Sequence, residues 1–285
     1  MQYVFFGTPR FAEMILKRLI DANIPPALVV TNPDRPAGRK RVMTPPPVKV
    51  LAQEHGIKVY QPEKWEMGNG KWEMGEPEFA VLASYGKIIP QEIIDLFPKG
   101  IIVVHPSLLP RYRGATPIQS VILSGDEKTG TTLILMDKQV DHGPILTAQE
   151  LEFPISNSQF PILHDKLAEL SADLLVETMP KFVAGEIKPE PQDETKATYT
   201  KKFSPEDAFV SEEDLKKAQQ EGGDIAASVD RKIRALNPEP GTWTRENGKR
   251  VKLLEAEIRD GKLKLRKIQR EGGNPIHLPM VSDLL

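Results

Sequence analysis

The chain runs to 285 residues, 39% of them hydrophobic and 27% charged, with a formal net charge of −2. That is room for one large globular domain and a smaller one, and it excludes a global basic field, so any nucleic-acid contact must come from a local patch. No cysteine occurs, which excludes disulfides, thiolate catalysis and cysteine-held zinc. The opening "MQYVFFG" enters an apolar run with no basic leader, and no later run approaches the roughly 18 apolar residues of a membrane span. The expected compartment is the cytoplasm.

"YVFFG" followed by "TPRFAEMILKRLIDANI" reads as a buried strand, a turn and an amphipathic helix, with Thr8 as cap and Pro9 in the first turn. "ALVVT" (27–31) reads as a second strand, "VKVLAQEHG" (48–56) as a helix and "KVYQ" as a third strand. "FAVLAS" (79–84) and "IIVVH" (101–105) follow as buried strands around a helical "PQEIIDLF". Strands alternating with helices predict an α/β fold, a doubly wound, mostly parallel sheet whose ligands bind outside the carboxyl ends of the strands. A long helix is expected over 158–185, stopped by Gly185. "EIKPEPQDETKATYTKKFSPED" is polar and proline-bearing and reads as a linker. After it, "DIAASVDRKIRALN" is helical, and Asn-Gly and Asp-Gly pairs mark hairpins of a small β-rich domain. The expected division is 1–186, a linker at 187–204, and 205–285. The doubled KWEMG in "KWEMGNGKWEMGE" (64–76) reads as a surface loop.

No G-x-G-x-x-G follows the first strand and no Walker motif occurs, so neither a dinucleotide nor nucleotide hydrolysis is indicated. Of five histidines, His55, His164 and His277 read as surface or structural. His105 differs, because it leaves a buried strand at its carboxyl end and meets the proline-bounded turn "PSLLP". His142 lies beside Asp141 in "DHGP", and a carboxylate near a histidine orients the ring and stabilises its protonated form. Spacing alone leaves open whether Asp141 reaches His105. In "NPDRPAGRKRVMTPPP" (32–47), Arg35, Arg39, Lys40 and Arg41 follow Asp34 on a proline-extended loop, which suits either a solvated surface or a phosphate-contacting arm.

"FGTPRFA", "TNPDRPAGRKRVMTPPPVKVLA", "ASYGKIIP", "HPSLLPRYRGATPIQ", "GDEKTGTTLILMD", "VDHGPIL", "PQDETKATYTKK" and "IRALNPEPGTW" occur in this order. Together they resemble the methionyl-tRNA formyltransferases, the tRNA-directed branch of the 10-formyltetrahydrofolate-dependent formyltransferases, along nearly the whole chain. The resemblance implies a formyltransferase Rossmann-like catalytic domain and an OB-like C-terminal barrel, here shortened to about 80 residues. It also implies a reaction: the α-amine of methionyl-tRNA takes a formyl group from 10-formyltetrahydrofolate, for translation initiation. The family's catalytic His maps onto His105 and its Asp onto Asp141. Folate would lie against Tyr85, Gly86, Lys87, Ile88 and Ile89 and the turn Ser107, Leu108, Leu109 and Pro110, and tRNA against Arg35, Arg39, Lys40 and Arg41. No metal is required, no membrane is involved, and a monomer is expected.

One position departs from the family. Its third catalytic residue is an Asn two residues before the His, and here that residue is Val103. Strand alternation puts Val103 on the same side as His105, where it offers no hydrogen bond. Loss of one preorganised oxyanion donor costs about 3–4 kcal/mol, so impaired activity is expected unless a backbone amide or His142 substitutes. The alternatives are a non-catalytic folate- or tRNA-binding homologue and an amino-sugar nucleotide N-formyltransferase; the basic arm and the C-terminal domain speak against the latter.

Overall fold

The computed structural model describes residues 1–38, 40–65, 76–155 and 157–279. In chain order the first elements are β1 (Tyr3–Gly7), α1 (Arg10–Asp21), β2 (Leu28–Val30), β3 (Arg35–Ala37), β4 (Val42–Thr44), α2 (Pro47–Glu54) and β5 (Lys58–Tyr60). They are followed by β6 (Phe79–Ala83), α3 (Gln91–Ile94), β7 (Ile101–His105), β8 (Arg113–Gly114), α4 (Pro117–Ser124), β9 (Gly130–Leu135), β10 (Ile145–Glu150) and α5 (Phe160–Val183). The rest are β11 (Tyr199–Thr200), α6 (Glu212–Gln220), α7 (Gly223–Leu236), β12 (Trp243–Glu246), β13 (Lys249–Arg259), β14 (Lys262–Arg270) and β15 (Ile276–His277).

Seven strands form one sheet in the order β10-β9-β7-β6-β1-β2-β5. β5, β2, β1, β6 and β7 are parallel; β9 pairs antiparallel with β7, and β10 antiparallel with β9. From β1 the chain winds outward through β2 to β5 and returns to the other side of β1 with β6, so the winding reverses between β1 and β6. β1 and β7 are buried along their whole length, as their unbroken apolar runs require of strands covered on both faces. Val4, Phe6, Val30, Ala80 and Ile101 pack with Ile93 of α3 and with Phe97. On the other face the Tyr3 and Phe79 rings stack at 5.3 Å, and Phe79 meets the edge of Phe182 of α5 at 5.7 Å. α1 buries Phe11, Ala12, Ile15, Leu16 and Leu19, one stripe at helical spacing, and meets α5 through Arg10–Asp165 and Arg18–Asp173 ion pairs of 2.8 and 2.7 Å. These pairs are solvent-exposed and set alignment more than stability.

Thr8 does not cap α1. Pro9 holds the cap position, and the Thr8 hydroxyl donates to the Tyr85 carbonyl (3.3 Å) and accepts from the Asn32 amide (3.3 Å), tying the ends of β1, β2 and β6 together. The arm at 32–47 is a ribbon, β3 antiparallel to β4, turning at Gly38.

The chain divides into two compact units. The first comprises Met1–Arg113, Gly130–Leu151 and His164–Thr198; the second comprises Gly114–Thr129, Glu152–Leu163 and Tyr199–Leu285. The sequence suggested single cuts, whereas the second unit takes in α4, whose buried Ile118, Val121 and Ile122 lie beside α7. Within that unit, among the described residues, β12 to β15 form an antiparallel sheet of four strands. Asn247-Gly248 and Asp260-Gly261 all have positive φ, the backbone of the tight hairpin turns that these pairs announce. Val229 and Ile233 of α7 close the sheet's core over Val251, Leu253, Leu263 and Ile268. Among the described residues no helix is long and apolar enough to cross a membrane.

Candidate active site

β7 carries the first catalytic candidate to the carboxyl edge of the sheet. It lies between β6 and β9, so Val103 sits opposite Leu82 on one side and Ile134 on the other, and His105 sits opposite Thr132. Beyond His105 the chain folds back over β9. The Thr132 hydroxyl donates to the Ser107 carbonyl at 2.7 Å and accepts from the Leu109 amide at 3.1 Å, and the Ser107 hydroxyl donates to the Arg111 carbonyl at 2.7 Å.

The His105 ring, almost wholly buried, has an acceptor at each nitrogen. Nε2 lies 2.9 Å from the Tyr112 carbonyl oxygen and Nδ1 lies 3.5 Å from Asp141 Oδ2. A carbonyl only accepts, so Nε2 is the donor to Tyr112, and Nδ1 is the nitrogen that faces the carboxylate. The two acceptors arrive on strained backbone, with φ of +62° at Tyr112 and +50° at Asp141. Asp141 belongs to the connection between β9 and β10, and two residues on, Gly143 passes so close to β9 that a Cβ there would stand 1.7 Å from the Leu135 carbonyl oxygen.

Val103 is packed, not merely placed. Leu109 and Ile134 enclose it, with Leu82, Met136 and Ile145 against the same cluster. His142 turns away from His105, its Nδ1 2.5 Å from Asp137 and its Nε2 3.4 Å from Glu194, so it is committed to two carboxylates and does not replace the missing amide. Among the described residues no group of three or more His, Asp or Glu could hold a metal ion.

A family model described as formyl transferase matches residues 1–179, and one described as formyl transferase, C-terminal domain, matches residues 223–264. The chain belongs to the formyl transferase family. Within it, the chain is 41% identical over 257 residues to the methionyl-tRNA formyltransferase of Halorhodospira halophila, covering 89% of this chain and 78% of that one. The fold is similar to that of the methionyl-tRNA formyltransferase from Clostridium thermocellum (TM-score 0.62, 19% identity, 96% of this chain and 100% of that one). It is also similar to that of HypX from Aquifex aeolicus in complex with tetrahydrofolic acid (TM-score 0.63, 17% identity, 100% of this chain and 47% of that one).

The remaining sites expected of this formyl transferase are distributed unevenly. The Tyr85 ring is buried against Phe6 (5.6 Å between centroids), so it supports the loop from beneath, while Ile88 at its tip is 91% exposed. Lys87 donates to the Pro62 carbonyl at 2.6 Å, Gly86 turns the loop with a φ of +78°, and Ile89 is buried. Ser107 and Leu109 are buried within their turn, whereas Leu108 and Pro110 are half-buried. On the arm, Arg35 pairs loosely with Glu63 at 3.6 Å and Lys40 and Arg41 are exposed; Arg39 lies outside the described residues, as does most of the doubled KWEMG. The arm's base is fixed where the Asp34 carboxylate accepts from Gln61 and Lys49, both at 2.8 Å, which holds its pKa below the ordinary carboxylate value. Sequence reasoning missed Arg113, Gln192 and Glu194, because Gln192 and Glu194 stand 79 and 81 residues from the arginine they bind.

Proposed function

We propose that this protein transfers the formyl group of 10-formyltetrahydrofolate to the α-amine of methionyl-tRNA, at a rate limited by Val103. The observation that carries the reading is the His105–Asp141 pair at the carboxyl edge of the sheet, in a chain most of whose length matches relatives named methionyl-tRNA formyltransferase. The folate-bound neighbour of the same fold supports a folate donor.

The geometry supports the following division of labour. Tyr112 holds the proton on Nε2, which leaves Nδ1 to take the proton released as the amine attacks the formyl carbon. The imidazolium so formed has the Tyr112 carbonyl at one nitrogen and Asp141 at the other. Its charge stabilises the developing oxyanion, and the proton returns to the departing folate nitrogen. The 3.5 Å between Nδ1 and Asp141 is longer than a good hydrogen bond, and the pair would tighten as the ring gains its proton. The folate ring is assigned to the loop at 85–89 and the turn at 107–110, whose backbone groups suit the edge of a pterin. The tRNA phosphates are assigned to Arg35, Arg39, Lys40 and Arg41. The reading carries with it a monomer working in the cytoplasm.

Formylation of methionyl-tRNA by the purified protein, read as formyl-methionine release after deacylation, tests the reaction. Slow but protein-dependent product is expected. No product from either this chain or its Val103→Asn variant, with both shown to bind tetrahydrofolate, would overturn the assignment.

A further inference from the structure

The polar stretch that reads as a linker holds both acceptors of His105. We propose that the segment 192–198 is a positioning strap, acting on Asp141 through Gln192 and on Tyr112 through Thr198; the inference rests on the formyl-transfer reading of the site.

The loop that carries Asp141 has little apolar anchorage of its own. Val140 is 67% exposed and Asp141 sits at a φ of +50°, a conformation that a non-glycine residue keeps only when its surroundings enforce it. Gln192 supplies that enforcement. Its Nε2 donates to the carbonyl oxygens of Asp141 (2.9 Å) and Gly143 (2.8 Å), and its Oε1 accepts from Arg113 Nε (3.0 Å) and a terminal guanidinium nitrogen (2.8 Å). Carbonyls only accept and a guanidinium only donates, so the amide has one orientation. The Arg113 side chain is completely buried and is gripped in turn by the Glu194 carboxylate at 2.6 and 3.0 Å. His142 links Glu194 to Asp137 at the loop's other end.

The same strap reaches the second acceptor. The Tyr112 amide donates to the Thr198 hydroxyl at 2.8 Å and the Arg113 amide to the Thr198 carbonyl at 2.8 Å, so the residue whose carbonyl fixes the His105 tautomer is itself fixed by Thr198. Neither Gln192 nor Thr198 touches His105 through these bonds. Each acts through the residue that does.

Two variants isolate this role. Gln192→Glu keeps an acceptor for Arg113 and sets an oxygen against two carbonyls; Thr198→Val keeps shape and removes the hydroxyl. Each is expected to lower kcat about 10- to 100-fold, the scale of an ångström-sized misplacement, with KM for both substrates within about twofold. The pH profile of kcat should change in both, and Thr198→Ser should restore activity. Lys196→Ala, on the same strap but paired with Asp193 at the surface, should be silent. A nitrogen-detected spectrum of the His105 ring provides a readout independent of turnover: its signals should move in Gln192→Glu and Thr198→Val and stay in place in Lys196→Ala. If neither the parent protein nor its Val103→Asn variant forms product, the formyl-transfer reading falls while the ring spectrum still tests the strap. Unmoved ring signals in both variants, or kcat, KM and thermal stability falling together, would overturn the positioning role.

Discussion

Val103→Asn is the change expected to raise activity. Val103 and His105 lie on one face of β7, and at about 3.3 Å rise per residue their Cβ atoms stand about 7 Å apart. An amide introduced at 103 would therefore stand on the same face as the His105 ring, whose two nitrogens face Tyr112 and Asp141 and whose contribution to an oxyanion is charge, not a hydrogen bond. Under the proposed function that amide would supply the oxyanion donor that Val103 lacks. Restoring a donor is worth up to about two to three powers of ten in turnover. Here Leu82, Leu109, Ile134 and Met136 crowd the position and offer the amide no partner to orient it, so about tenfold or more is the expected gain. The gain belongs in kcat, because the interaction forms only as charge develops, and KM for either substrate should barely move. Single-turnover formylation with saturating protein reads this directly, free of product release. A folded, folate-binding variant with unchanged turnover would refute the reasoning and place another donor at the oxyanion.

His105→Ala should abolish transfer while leaving tetrahydrofolate affinity within a few-fold in a fluorescence titration, and Asp141→Asn should be nearly as severe because Nδ1 loses its anion. Neutralising Lys40 and Arg41 should raise KM for tRNA and flatten the log–log salt dependence by about one unit for each phosphate they neutralise, with KM for the folate unchanged; equal slopes would mean that the arm is only solvated. Acid should destabilise the fold in a defined window. Asp193, held by Thr195, and Asp207, held by Lys201, titrate at about 2 in the native state against 3.8 unfolded. As pH falls the unfolded chain takes up protons first, so their stabilisation is complete above about pH 4 and is lost as pH drops toward 2. Thermal melts flat from pH 4 down to 2 would contradict that assignment.

Strands β1, β2, β6 and β7 were legible because they are short apolar runs, a pattern that burial on both faces explains, whereas the antiparallel β9 and β10, with their threonines and exposed polar end, were not predicted. The C-terminal hairpins were legible because Asn-Gly and Asp-Gly dictate positive φ locally. His105 was found on the same ground, as a polar residue ending such a run. Asp141 was a candidate by proximity to a histidine, yet the histidine beside it, His142, faces Asp137 and Glu194, while the distant His105 meets the carboxylate. Adjacency in sequence did not decide adjacency in space, since the left-handed backbone at Asp141 turns neighbouring side chains apart. Thr8 looked like a helix cap and became a tie between strand ends, a choice set by long-range carbonyls that no local pattern contains. The strap was illegible for the same reason. A Gln, a Glu and a Thr in a polar stretch carry no periodicity, and their partner Arg113 reads as an ordinary turn residue until folding buries it.

Val103 stands where stability and chemistry pull in opposite directions. At that register position the strand needs a residue to fill the space between Leu82 and Ile134 beneath Leu109, and a β-branched apolar side chain does so without leaving a polar group to satisfy. An amide there loses its hydration and recovers it only when substrate supplies the oxygen it is meant to bind; until then it costs about 1–3 kcal/mol. A site that keeps such an amide accepts that cost in the free protein in exchange for stabilisation in the transition state. The arrangement seen here has a well-packed β7 and a histidine bracketed by two fixed acceptors and, under the proposed function, one donor fewer. The strap and the His105–Asp141 pair do not depend on the side chain at 103, which is why one substitution can alter the rate of the reaction without dismantling the machinery around it.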